Sequence, residues 1–79
     1  MEDIKAGMLA VSKAGHDKGK VFVIVRAEGG RIWIADGENR KVEAPKPKNG
    51  KHLQPVKKEA VTPISNEKVK EAIQAYRRS

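Results

Sequence analysis

The chain contains no cysteine. Disulfide cross-links and thiolate metal centres are therefore excluded, and the composition fits a reducing compartment, so a cytoplasmic location is expected. Aromatic residues are almost as scarce: Phe22, Trp33 and Tyr76 are the only three. That is too few for a sheet that stacks successive bases on its rings. Trp33 is read as a core or half-core residue; the alternative is an exposed ring that stacks on an unpaired base. The only histidines, His16 and His52, lie far apart in sequence. Without cysteine they make a poor metal site, and neither a metal nor another cofactor is expected. No apolar run approaches the roughly 20 residues of a membrane-spanning helix, so no membrane partner is expected. The start, Met1-Glu2-Asp3-Ile4-Lys5, is acidic and lacks a signal-peptide core.

Catalytic signatures are missing too. There is no recognisable Ser/His/Asp arrangement, no Walker loop and no GxGxxG. The carboxylates Asp3, Asp17, Glu28, Asp36, Glu38 and Glu43 fall mostly in predicted turns, where hydrogen bonds to nearby backbone account for them. The chain is therefore read as non-enzymatic. At 79 residues it forms one small domain, which buries only about 60% of its unfolded surface, and it is expected to be a monomer.

What the chain does have is positive charge. Its formal net charge is +7 and its pI is near 9.9, the electrostatic footprint of a nucleic-acid binder. The charge is uneven. Residues 1–35 carry +2, residues 36–58 carry +4 and residues 59–79 carry +1. Between Arg40 and Lys58 seven cations face a single anion, Glu43.

Hydrophobic patterning predicts a strand within residues 4–12 and a second over residues 21–27, where β-branched residues and Phe22 suit a pleated surface. Glu28-Gly29-Gly30-Arg31 is a hairpin signal, because paired glycines accept the positive φ angles of a primed turn. A third strand follows over residues 31–35 and a turn at Asp36-Gly37. Polar-apolar alternation predicts a short fourth strand over residues 41–44, stopped by Pro45 and Pro47, with residues 46–51 as a basic loop. Residues 52–56 are a brief fifth strand, which Pro55 confines to an edge or an end. Four to five short antiparallel strands with tight turns indicate a mostly β protein built as a small, bent barrel.

Residues 57–65 read as a linker and residues 66–78 as an amphipathic helix. Ser65 is its N-cap, and Ile64 and Val69 occupy the staple positions. Val69, Ala72, Ile73 and Tyr76 form one apolar stripe. A helix this short is marginal alone in water, so the stripe is expected on the barrel, with a partner's surface as the alternative.

Two groups stand out as candidate binding residues. The first is Lys13, His16, Lys18 and Lys20, in a loop punctuated by Gly15 and Gly19 between two strands. The second is Arg40, Lys41, Lys46, Lys48, Lys51 and His52. Cations in tight loops suit phosphates, which position a nucleic acid without reading its sequence.

Gly7, Gly15, Gly19, Lys20 and the apolar run at residues 21–25 resemble the KOW motif of ribosomal and transcription-elongation proteins. Asp36-Gly37, then Arg40-Lys41-Val42, then Lys51-His52-Leu53-Gln54-Pro55 resembles the later half of the archaeal and eukaryotic large-subunit ribosomal protein of the fourteen-e type. The resemblance covers roughly residues 4–56. It implies an SH3-like barrel over residues 1–56, contact between the first loop and RNA backbone, and a role in translation with ribosomal RNA, and ribosomal proteins, as partners. The chain departs from the fourteen-e pattern at Gly50, where an apolar residue is common, and it lacks the long helical extension. A constitutive place in the large subunit and an accessory role both stay open. The other reading is a non-enzymatic protein-interaction module, similar to Tudor and elongation-factor barrels.

Overall fold

The computed structural model describes residues 4–57 and 59–78. The acidic start with Asp3, and Lys58 of the linker, lie outside the described residues. Five strands form one antiparallel sheet: β1 (Leu9–Ser12), β2 (Val21–Glu28), β3 (Arg31–Ala35), β4 (Lys46–Asn49) and β5 (Leu53–Val56). Their order is β4-β3-β2-β1-β5. The meander from β1 to β4 curls so that β5 returns to the open edge of β1, and the result is a small barrel-like fold. Single-turn 3-10 helices occupy Gly15–Asp17 and Gly50–His52, and α1 (Asn66–Arg78) ends the fold.

The strand that organises the rest is β2. Phe22 and Ile24 point inward and pack with Ala10, Ile32, Ile34 and Leu53 in the barrel interior. Val21 and Val23 point the other way and pack with Leu9, Val69 and Ile73 beneath α1. A strand buried on both faces has no polar alternation, which is why residues 21–24 are apolar without interruption. Past Ile24 the pairing with β3 shifts register at a bulge. Such a bulge adds twist and helps a short sheet wrap.

The hairpin joining β2 and β3 turns at Gly29 and Gly30, whose φ angles are 55° and 83°. Both are positive, as a type I′ turn requires. β1 begins at Leu9, well after residue 4, because Gly7 breaks the strand with a φ of 94°. Its N–H still donates to the Ile24 carbonyl oxygen at 2.7 Å. A side chain could not stand here: a Cβ on Gly7 would lie 2.9 Å from the Val61 carbonyl oxygen.

The fourth strand is a correction. Residues 41–44 form a turn, and the strand is Lys46–Asn49. Pro47 sits inside it, opposite Trp33. Proline is tolerated because β4 is an edge strand, where its missing N–H costs no ladder bond. Pro55 occupies the other edge, opposite Ala10.

The linker passes over Gly7, with Val61 N–H donating to the Gly7 carbonyl oxygen at 2.8 Å. The Ser65 hydroxyl accepts from Lys68 N–H at 3.2 Å and caps α1. Val69 and Ile73 are buried against the barrel, with Ile64, Ala72 and Tyr76 partly buried around them. No helix among the described residues is long and apolar enough to cross a membrane.

Candidate functional site

The first loop leaves β1 at Ser12 and rejoins the sheet at Val21. Its backbone is tied to itself: Gly19 N–H donates to the Ser12 carbonyl oxygen at 2.8 Å, Ser12 N–H to Lys20 at 2.9 Å, and Lys20 N–H to Asp17 at 2.8 Å. The buried Ser12 hydroxyl donates to the Ala14 carbonyl oxygen at 3.1 Å. Positive φ angles at Gly15 and Gly19 allow the loop to close this tightly. Lys13, His16, Lys18 and Lys20 all point out of it and are exposed.

Two sets of contacts carry the second group of basic residues to this loop. Lys13 N–H donates to the His52 carbonyl oxygen at 2.8 Å, which sets the 3-10 turn bearing Lys51 and His52 beside the start of the loop. The Asn49 side chain accepts from Lys51 N–H at 3.1 Å and shapes that turn. Asp17 then reaches across to β4: its Oδ2 lies 2.6 Å from Lys46 Nζ and 3.9 Å from Lys48 Nζ. Lys48 also donates to the Ala14 carbonyl oxygen at 3.3 Å.

This changes the roles within the second group. The sequence places Lys46 and Lys48 in a basic loop, as candidate phosphate-binding cations. Instead the Lys48 side chain is only 11% exposed, and both ammonium groups are engaged by the first loop. Inward-pointing charge on an edge strand is a recognised guard against edge-to-edge pairing, and here it also fixes the loop. The hydrogen bond from Lys46 holds the Asp17 carboxyl below the ordinary carboxylate range; desolvation opposes the shift, while the charges of Lys46, Lys48 and Lys20 add to it.

Arg40 and Lys41 go elsewhere. They lie between β3 and β4, on a segment fastened to the start of α1. Val42 N–H donates to Asn66 Oδ1 at 2.9 Å, and Asn66 Nδ2 donates to Glu43 Oε1 at 2.7 Å. Among the described residues no hydrogen bond or ion pair joins Arg40 or Lys41 to the first loop.

Asp36 accepts from the backbone of Glu38 and Arg40, at 2.9 and 2.8 Å, as turn carboxylates do. Asp17 does not follow that pattern; it was missed as a site residue. The available signal was its isolation: between Lys13 and Lys20 it is the one acidic residue. Trp33 is half-buried, with the Arg26 guanidinium 4.9 Å from its ring centroid. Glu28 in turn holds Arg26, accepting from its Nε at 2.9 Å.

Exposed Lys13, His16, Lys18 and Lys20 thus share one loop, exposed Lys51 and His52 sit beside its start, and the Asp17 contacts with Lys46 and Lys48 brace it from β4. Among the described residues no group of three His, Cys, Asp or Glu side chains is placed to hold a metal. No protein-family model and no curated protein matches the chain.

Proposed function

We propose that the protein binds RNA through this composite surface, with structured ribosomal RNA as the substrate class and a role on or near the ribosome. The observation that carries the reading is the union of two basic segments, distant in sequence, through the Lys13–His52 and Asp17–Lys46 bonds. A solvated charge run needs no such fixing. A phosphate contact benefits from it, because a held cation loses less freedom on binding. The KOW resemblance of the first loop supports the same assignment. Exposed lysines suit the phosphates of an A-form helix, which is recognised by shape and backbone more than by base edges.

The test is the salt dependence of binding to an RNA stem-loop. With about five phosphate contacts, log affinity against log salt has a slope between about −3.5 for single strands and −4.5 for a duplex. Lys13→Glu with Lys18→Glu weakens binding to all sequences alike and flattens the slope, because phosphates carry no sequence information. Unchanged affinity and slope in that double variant would overturn the reading.

A further inference from the structure

Lys20 faces two ways: it ends the basic loop, and it lines a cleft of about 160 Å³ between the start of β2 and α1. On the helix side the cleft is lined by Lys70, Gln74 and Arg77. Spacings of four and three residues put these side chains on one face of the helix. The geometry points to a second phosphate-binding site in this cleft, formed by Lys20, Lys70 and Arg77, over which a bound RNA strand runs from the first loop onto α1. The inference rests on the RNA-binding reading and extends it to the helix.

Three observations carry it. First, the polar helix side chains that line the cleft, Lys70, Gln74 and Arg77, are cationic or neutral, whereas Glu71 lines the groove on the other flank beside Lys68. Second, Lys20, Lys70 and Arg77 make no ion pair within 4.0 Å among the described residues, although Asp36 and Glu38 line the same cleft. Asp36 is committed to its own turn through the Glu38 and Arg40 backbone. Three cations against two carboxylates leave a single excess positive charge, which suits the one negative charge of a phosphodiester. Third, the walls are fixed in place. Gly37 adopts a φ of 80°, and a Cβ there would collide with the Asn66 carbonyl oxygen, so the β3–β4 segment lies directly against α1. Pockets that enclose a drug-sized molecule run to about 300–1,000 Å³. This cleft is smaller and takes a phosphate group, not a base.

The experiment is fluorescence anisotropy with a labelled RNA stem-loop bearing unpaired flanks, measured across a salt series. Lys70→Gln with Arg77→Gln removes up to two contacts, so the magnitude of the salt slope falls by about 1–2. Affinity near 0.1 M salt falls by at least tenfold, with the thermal midpoint unchanged. Lys70→Glu with Arg77→Glu weakens binding further. Lys13→Glu with Lys18→Glu is the companion arm. If the loop variant loses affinity and both helix variants bind with wild-type slope, the cleft site is refuted and RNA binding by the loop stands. If neither loop nor helix variants lose affinity, both assignments fall.

Discussion

Lys46 Nζ donates to Asp17 Oδ2 at 2.6 Å, joining residues separated by 29 positions in the chain. The bond closes the first loop onto β4, and it gives the loop a dependence on pH. The folded Asp17 carboxyl has a lower pKa than the unfolded one, whose ordinary value is 3.8. Its stabilising contribution is therefore full above that value and is lost as pH falls through the lower, folded value. Thermal melts of the wild type and Asp17→Asn should differ at pH 6 and converge at the acid end, below the ordinary carboxylate range. A gap that stays constant down to the lowest pH would show that the carboxylate charge contributes nothing.

Lysines that look alike in sequence should respond differently to charge reversal. Lys18 is exposed, and Lys18→Glu should leave the melting temperature within error. Lys48 is nearly buried between Asp17 and the Ala14 carbonyl oxygen. Lys48→Glu sets two carboxylates together and strips a part-buried acceptor of its donor, at a cost of about 1–3 kcal/mol. Urea denaturation of the two variants side by side decides the matter.

Ile73 is 6% exposed and packs against the outer face of the sheet with Leu9, Val21 and Val23. Ile73→Ala should lower stability by about 2–4 kcal/mol. A melting temperature equal to the wild type's would mean that the helix contributes nothing to the core in solution.

Two glycines with similar φ angles should tolerate alanine unequally. Gly19 has a φ of 88° and open space around it, so Gly19→Ala carries only the left-handed strain of about 1–2 kcal/mol. Gly37→Ala carries that strain and also forces its Cβ into the Asn66 carbonyl oxygen. It should be the more destabilising of the two. Thermal melts followed by circular dichroism at 222 nm should place the midpoint of Gly37→Ala below that of Gly19→Ala.

The extent to which the fold could be read from the sequence followed the range of the interactions. Residues 31–35 were expected as a strand and form β3 within the same bounds, because β-branched residues and the Gly29-Gly30 turn are local signals. The fourth strand could not be found that way. Pro47 argues against a strand unless the edge position is known, and edge position depends on the whole sheet. The inward residues of β4 are lysines, not aliphatics, so no hydrophobic period marks them. The basic residues of the candidate site were visible as cations. Their division into exposed groups and braces was not, since it depends on Asp17, whose partners come from β4.

The double-sided burial of β2 has a consequence for how the molecule opens. Phe22 and Val23 are neighbours in sequence but belong to different apolar clusters, one inside the barrel and one under the helix. Lifting α1 bares one side of the strand, and parting the barrel bares the other. The amide hydrogens of residues 21–24 are thus shared between both events. Their exchange with deuterium should therefore be limited by whole-molecule unfolding, with helix and barrel opening as one cooperative unit although residues 57–65 separate them in the chain.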